Sequence, residues 1–320
     1  MKKSEKIGVS IVLTLVLILT SCGSQVPGGD KPIDTATALN IVKTGTLGIQ
    51  MRLLPNYPPP LIYDKTELVA MIDIDNKGNF PLVPEDCFIQ ITGYDPNIIK
   101  GGPNTLSCAT NNNGPLEGKT VYNLNGGTNQ ITFTFPDVSL PPGVFDYSPT
   151  LNFVACYHYH TTANPVVCVD PRFYQVTPQE KTCLPKAVSS GGGGQGAPVG
   201  ISYVNVEMAA GKAIFEINVI NYGTPGRVIA RDTDLLNCGT SLSTQRTDLD
   251  KVYYSVSMVG KPIDCKPYGF IRLVNGQGKI VCSAPVDGTT AYETPLLIDL
   301  DYNYIQSFKQ LVKIVRTPGT

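Results

Sequence analysis

The chain has 320 residues, of which 25 are basic and 26 are acidic, and its formal net charge is -1. This near neutrality excludes a general nucleic-acid binder, which needs a basic surface, and the charged fraction of 16% excludes a disordered acidic tail. The 31 Gly and 26 Pro residues are too many for a coiled coil. At about 150 residues per domain, the length indicates two domains that can each bury a core.

A charged start and an apolar run open the chain. Lysines precede an uncharged, apolar segment at residues 7–20. This segment is shorter than the about 20 residues of a bilayer-spanning helix and fits the apolar region of a signal peptide. The residues LTSC at 19–22 follow, and they resemble the lipobox of prokaryotic lipoproteins. In that family the cysteine, here Cys22, is acylated and becomes the N-terminus after cleavage.

The lipobox resemblance predicts a signal peptide at residues 1–21 and a flexible, lipidated tether at residues 22–46. The mature protein is then exported and held at a membrane surface by its lipid. An uncleaved anchor helix with an incidental cysteine is the alternative, and it places the protein on the same side of the membrane.

Strand patterns dominate the rest of the chain. Residues 67–76 and 212–221 alternate apolar and polar side chains, as half-buried strands do. Other short runs rich in β-branched and aromatic residues are separated by Gly, Pro, Asn or Asp, whereas convincing amphipathic helices are absent. The sequence KAVSSGGGGQG at residues 186–196 is typical of a flexible linker. These patterns predict an all-β fold.

An internal repeat has a constant offset of 145 residues. It relates the Asn-x-Gly sequences at 76–78 and 221–223, and it preserves which side chains of a strand point inward. The repeat predicts two tandem β-sandwiches, at residues 47–185 and 197–320. Chance similarity between two all-β domains is the alternative. The other matching pairs are Ile72 and Ile217, Tyr147 and Tyr292, Leu151 and Leu296, Tyr157 and Tyr302, and Tyr159 and Tyr304.

The start of each copy, at residues 47–83 and 197–228, has a strand, a short connection and an alternating strand that ends in Asn-x-Gly. This arrangement resembles the tandem immunoglobulin-like domains of prokaryotic surface proteins, including the cell-adhesion-related (CARDB-type) class. The resemblance implies a module for display, adhesion or spacing, and not an enzyme fold.

The cysteines predict disulfides, because an exported protein can keep them. Of the eight that follow Cys22, five precede the Gly-rich segment and three follow it. Both numbers are odd, so full pairing requires at least one bridge between the two copies. Each of the pairs Cys156–Cys168, Cys265–Cys282 and Cys87–Cys108 flanks a predicted turn or loop, which favours these three bridges. Cys183 and Cys238 then remain, either as a fourth bridge or as free thiols.

The only histidines are His158 and His160, and with Cys156 they lie on one face of one strand. Such a Cys-x-His-x-His set could bind zinc or copper in an envelope metal-binding protein. The matching positions of the second copy are Asp301, Asn303 and Ile305, which favours an exposed polar face instead. No cofactor is predicted.

Catalysis has little support in the sequence. No G-x-S-x-G elbow is present, and the carboxylates are scattered, so a secreted hydrolase remains an alternative without a defined site. We predict a non-catalytic surface lipoprotein that is attached to the membrane through Cys22. Its partner is an envelope protein or a glycan rather than a nucleic acid, and loops at residues 101–118 and 226–247 are the expected contact regions.

Overall fold

The computed structural model describes residues 34–109, 114–176, 180–190, 194–209, 211–239 and 246–318. The predicted signal peptide and Cys22 lie outside these ranges. The chain divides into Met1–Thr37 and one compact unit, Ala38–Thr320. No helix in the described ranges is long and apolar enough to cross a membrane.

The fold is all-β, as the sequence patterns predicted. Besides strands, the described residues form a helix, α1 (Thr35–Lys43), and a 3-10 helix at Pro84–Asp86. The strands are β1 (Ile49–Leu53), β2 (Leu61–Tyr63), β3 (Thr66–Asn76), β4 (Cys87–Thr92), β5 (Ile99–Lys100), β6 (Thr105–Ser107), β7 (Thr128–Val138), β8 (Asp146–Tyr147), β9 (Thr150–Ala163), β10 (Val166–Val169), β11 (Val188–Ser189), β12 (Val199–Ala209), β13 (Lys212–Asn221), β14 (Arg227–Ile229), β15 (Lys251–Met258), β16 (Lys261–Pro262), β17 (Asp264–Lys266), β18 (Phe270–Arg272), β19 (Gln277–Pro285), β20 (Tyr292–Leu311) and β21 (Lys313–Val315).

One large sheet contains strands from both copies of the repeat. Its order is β16-β15-β20-β9-β4-β6, with β10 and β14 also paired to β20 and β18 paired to β15. We call it the shared sheet. The first copy adds a four-stranded sheet, β1-β3-β7-β5. The second copy, together with β11 from the Gly-rich segment, adds a five-stranded sheet, β11-β12-β13-β19-β17. One continuous hydrophobic core runs through these three sheets.

The centre of the shared sheet is the antiparallel pair β9 and β20. Tyr157 lies opposite Tyr304, and Tyr159 lies opposite Tyr302. The residue opposite His158 is Asn303, which is also its equivalent in the repeat. A pseudo-two-fold axis therefore passes through the His158–Asn303 pair and relates the two copies.

The last strand of each copy pairs with the other copy. Val169 of β10 lies opposite Tyr292 at the start of β20, and Ile314 of β21 lies opposite Tyr147 of β8. The 145-residue offset makes these two pairings equivalent. In addition, β21 forms a parallel pair with β2, which completes a three-stranded sheet, β2-β21-β8. The copies are intertwined by this reciprocal exchange.

The Gly-rich segment at 186–196 does not divide the compact unit, contrary to the expectation of two sandwiches joined by a flexible linker. Residues 191–193 lie outside the described ranges, but Gly194 and Gly196 are buried. A Cβ on Gly194 would lie 2.3 Å from the carbonyl oxygen of Gly45, and the N–H of Asn79 donates to the carbonyl of Gly196 at 2.9 Å. The missing side chains of these glycines allow close backbone contact. Their φ values are positive, which also favours glycine at both positions.

The expected tether at residues 22–46 is partly helical. Helix α1 begins after Asp34, whose carboxylate accepts hydrogen bonds from the N–H and the hydroxyl of Thr37. This is the usual N-cap arrangement, and these bonds lower the pKa of Asp34. Alanine and leucine in the following residues supply helix propensity. The tether prediction is therefore wrong for Thr35–Lys43.

Four tyrosines fill the core on the pseudo-two-fold axis, and each is fully buried. Tyr157 accepts the N–H of Ile49 at 3.4 Å, and Tyr302 accepts the N–H of Val199 at 3.2 Å. Burial raises the pKa of both phenols, so they stay protonated. The starting strand of each sandwich is thus attached to the shared sheet by the same kind of bond. The other two members of the set are Tyr159 and Tyr304.

Candidate functional site

The strongest concentration of chemically active side chains lies on the outer face of β9 and β20, around the pseudo-two-fold axis. Side chains alternate along a strand, so the tyrosines point into the core and the intervening residues point outward. The outward side chains of the two strands form what we call the axis face. They are His158, His160 and Thr162 on β9, and Asp299, Asp301 and Asn303 on β20.

Both histidines bind side chains of the neighbouring strand. His158 contacts Asn303 through Nδ1, 3.0 Å from Oδ1, and lies 3.3 Å from the Asp301 carboxylate through Nε2. His160 Nε2 lies 3.2 Å from Asp299 Oδ1. These polar pairs hold the two copies together across the axis.

A segment at residues 231–239, which we call the strap, crosses from the second copy onto the outer face of the first. At its start, Arg231 binds Asp301 at 2.8 Å and lies 4.3 Å from the ring centre of Tyr253. Asn303 donates to the carbonyls of Arg231 and Thr233, both at 3.1 Å. The strap is therefore fixed directly above the axis.

The far end of the strap is attached to the first copy. The side chain of Gln90, a buried residue of β4, donates to the carbonyl of Leu236 and accepts the N–H of Gly239 at 2.8 Å. Cys238 forms a disulfide with Cys156 on the outward face of β9. The sequence did not predict the strap, because its anchors Gln90 and Asn303 belong to no motif. Only Cys238 indicated that this segment is attached to another part of the chain.

All eight cysteines after Cys22 form disulfides. Cys87–Cys108 and Cys265–Cys282 are paired as predicted. The expected requirement for a bridge between the copies is also met, by Cys156–Cys238. Four bridges indicate an oxidising environment outside the cytoplasm. The remaining bridge is Cys168–Cys183.

The favoured Cys156–Cys168 bridge and its complement Cys183–Cys238 are wrong. The prediction treated residues 161–165 as a hairpin turn. Instead, β9 and β10 both pair antiparallel to β20, so they run in the same direction along it. At about 3.3 Å per residue, Cys156 and Cys168 then lie about 40 Å apart.

The proposed Cys-x-His-x-His metal set is not available as predicted, because Cys156 is in a disulfide. A disulfide sulfur carries no thiolate for a metal. Within the described ranges, no group of three His, Cys, Asp or Glu side chains is placed to hold a metal ion. His158 and His160 instead serve as hydrogen-bonding partners of β20.

The geometry around His160 also differs from that of a nucleophilic relay. In such a relay a histidine lies between a carboxylate and a hydroxyl. Here the carboxylate of Asp299 lies between the two, accepting from Thr162 Oγ1 at 2.8 Å and contacting His160 at 3.2 Å. The carboxylate of Asp299, and not the imidazole of His160, therefore accepts the hydrogen bond of the Thr162 hydroxyl, and both contacts join β9 to β20.

A cleft of about 300 Å³ lies beside the axis face, between the 3-10 helix and the strap. Its floor includes His158 and Asn303, and its walls include Phe88 and residues of the strap. Carboxylates from Glu85 and Asp86 stand at one side.

Comparisons with known proteins identify no family. Neither the scan of family models nor the search of curated proteins gave a match. Among solved structures, envelope protein VP37 from White Spot Syndrome Virus is 9% identical, with 46% of this chain and 98% of that chain covered and a TM-score of 0.21.

Two further structures have still lower TM-scores. The secreted serine protease VesC from Vibrio cholerae is 7% identical, covers 82% of this chain and 51% of its own, and has a TM-score of 0.19. The collagen adhesin (CNA) from S. aureus is 11% identical over 86% of this chain and 93% of its own, with a TM-score of 0.11. Similarity at this level carries no conclusion about fold or function.

Proposed function

We propose that this protein is a lipid-anchored, non-catalytic surface protein of a prokaryotic cell envelope, with an adhesive, display or ligand-binding role. The observation that carries the proposal is the complete pairing of the eight cysteines after Cys22 in four disulfides. Such pairing is expected of a protein that works in an oxidising compartment. The proposed partners are a membrane, reached through the lipid, and an envelope protein or glycan.

Acylation of Cys22 is supported by the sequence LTSC at residues 19–22. The other eight cysteines pair with one another, so the thiol of Cys22 is not required for any of these bridges. A thioether-linked lipid at this position retains the protein at the membrane surface, because each buried methylene contributes about 0.8 kcal/mol.

A non-catalytic role is supported by the way the reactive side chains are used. The two histidines and the carboxylates beside them hold β9 to β20, and Arg231 holds the strap to Asp301. The second support is the intertwined architecture, in which both sandwiches belong to one compact unit. Such a unit can serve as a rigid scaffold whose surface loops contact a partner.

The experiment is metabolic labelling with radioactive palmitate in a bacterial host that expresses the full chain. We expect label on the wild-type protein and its recovery with the membrane fraction. The variant Cys22→Ser should lose the label and be released, whereas Ser24→Ala should behave as wild type. An unlabelled wild-type protein, or equal labelling of Cys22→Ser, would contradict the proposal.

A further inference from the structure

The outer edge of β1 carries hydrogen-bonding groups that no described residue satisfies. β1 is the edge strand of the four-stranded sheet. The N–H of Leu54 donates to Met71 of β3, so alternate residues back to Gln50 bond to β3, as in any antiparallel pair. The backbone groups of Met51 and Leu53 therefore point to the other side. Among the described residues, none bonds to the N–H or the carbonyl of either.

The second sandwich contains an equivalent edge, that of β12. The Asn-x-Gly sequence follows the same strand in each copy, β3 or β13, and β1 and β12 pair with these strands in matching register. The first residue of each, Ile49 or Val199, donates its N–H to a core tyrosine. In this register the counterpart of Met51 is Ile201, and that of Leu53 is Val204.

The Gly-rich segment covers the edge of β12. The side chain of Gln195 accepts the N–H of Ile201 at 2.7 Å and donates to its carbonyl at 3.0 Å. Strand β11, from the same segment, pairs antiparallel with the next part of the edge, where Val188 lies opposite Val204. The molecule therefore shows what this kind of edge binds: an extended segment with an apolar side chain over the core.

The edge of β1 also leaves core-facing side chains partly uncovered. Met51 and Leu53 pack against the core but are only half-buried, whereas their counterparts in β12 are fully buried. A cleft of about 230 Å³ lies beside Met51, between β1 and β20. Its walls include Pro225 and Phe308, so it can receive an apolar side chain.

The first copy uses its corresponding segment for a different purpose. At the distance before β1 at which β11 precedes β12, the chain forms helix α1. After the helix, the carbonyl of Gly45 accepts the N–H of Gly196 at 3.0 Å, which holds this connection against the Gly-rich segment. This part of the first copy is therefore not available to cover the edge of β1.

A second copy of this chain fits the edge poorly. Two β1 strands that pair antiparallel through their free groups place the two Arg52 side chains opposite each other, because Arg52 lies midway between those groups. Like charges directly opposite each other are destabilising. A shifted register would use Ile49, whose N–H and carbonyl are already bound by Tyr157 and Gln306.

We propose that the outer edge of β1 binds an extended segment of a partner protein as an additional antiparallel strand. The segment has apolar side chains at alternate positions, one opposite Leu53, as Val188 provides in the second sandwich, and one opposite Met51 that reaches the cleft. In this mode of recognition, backbone hydrogen bonds supply affinity and pockets for alternate side chains supply specificity. The inference rests on the proposed envelope function for contact with such a protein.

The test measures amide hydrogen exchange at single residues of the full-length protein in detergent, alone and with the peptide KAVSVS. This peptide continues the β11 pattern and has valines for the positions opposite Leu53 and Met51. Without peptide, the amides of Met51 and Leu53 should exchange quickly, and that of Arg52, which bonds to β3, slowly. KAVSVS should slow exchange at Met51 and Leu53. KAPSPS should not, because its prolines lack the N–H groups that the strand needs.

Two variants separate the backbone hydrogen bond from the side chain. Met51→Pro should weaken binding of KAVSVS about tenfold or more, because it removes an N–H of the free edge but no bond to β3. Met51→Ala keeps that N–H and should weaken binding less. Thermal melts show that both variants are folded, and the peptide comparison on the wild-type protein decides the question if either is not.

The inference is overturned if KAVSVS gives no protection, if KAPSPS protects equally, or if Met51→Pro binds as tightly as Met51→Ala. Protection of the Met51 and Leu53 amides in the protein alone would also overturn it. In a monomer, such protection would mean that the chain covers its own edge, and in a dimer that a second copy does. Labelling of Cys22 is a separate assay, so either proposal can fail alone.

Discussion

At the scale of single residues, the Asn-x-Gly sequence of each copy has a clear structural reason. The side chain of Asn76 accepts the N–H of Gly78, and the side chain of Asn221 accepts that of Gly223. A Cβ on Gly78 would lie 1.7 Å from the hydroxyl oxygen of Tyr159. At the equivalent position in the second copy, a Cβ on Gly223 would lie 2.6 Å from the hydroxyl of Tyr304. The glycine is required because a core tyrosine occupies the space of a side chain.

A second residue-scale feature is the attachment of the C-terminal segment to the first copy. Asp64, which is 4% exposed, accepts hydrogen bonds from the N–H and the hydroxyl of Thr317, at 2.5 and 2.8 Å. These bonds lower the pKa of the Asp64 carboxyl. The ionised carboxylate therefore stabilises the folded state, and this contribution is present above the ordinary carboxyl pKa of about 4.

We predict that Asp64→Asn is less stable than wild type at pH 7. The difference should shrink as the pH falls through the lowered pKa of Asp64, because the wild-type carboxyl then becomes protonated as well. Thermal melts at several pH values between 7 and 2 measure this. Asp287→Asn, an exposed position, is the matched control, and a difference that stays constant over the whole range would refute the role of the ionised carboxylate.

At the scale of elements, the sequence allowed the strands, the repeat and two of the four disulfides to be predicted. Alternating side chains and turn residues are local signals, so β3 and β13 were found within a residue of their bounds. The prediction of a Cys156–Cys168 bridge was wrong because Asn164-Pro165 is also a local turn signal, and it was interpreted as a reversal of the chain. Whether a chain reverses or continues at such a point depends on its partner strand, here β20, which lies far away in the sequence.

Other element-scale errors have the same origin. Glycines at 194 and 196 indicate flexibility when they are considered alone, yet here they permit close packing against Gly45 and Asn79. The axis face was partly foreseen, since a polar face was expected at His158 and its matching positions, but the expected exposure is wrong for Asn303, which is buried beneath the strap. The contact of His158 with Asp301 depends on the pairing of β9 with β20, and the ion pair of Arg231 with Asp301 depends on the position of the strap; no local pattern reveals either.

We predict that removing the bridge between the copies loosens the strap. The double variant Cys156→Ala and Cys238→Ala should lose about 2–4 kcal/mol of unfolding free energy, because the bridge closes a long loop. Hydrogen exchange of native protein should rise most in residues 231–239. Cys265→Ala with Cys282→Ala is the control, since that bridge lies within one copy. Unchanged exchange in the strap would show that Gln90 and Asn303 fix it without the disulfide.

At the scale of the whole molecule, the two copies form one intertwined unit and not two separate domains joined by a linker. β9 and β20 pair from Thr150 opposite Leu311 to Ala163 opposite Ile298. A repeat in the sequence is compatible with tandem or intertwined copies, because the offset is the same in both. What decides between them is which strands pair, and the exchange of β10 and β21 places the terminal strand of each copy in the other.

The most direct test of this account is hydrogen exchange of the disulfide-intact protein in rising urea, read by mass spectrometry on peptides from β3 and β13. These strands lie in different copies and in different outer sheets. One cooperative unit predicts that both peptides reach full exchange in a single transition at the same urea concentration. Two separate transitions, with one copy opening while the other stays protected, would contradict the account.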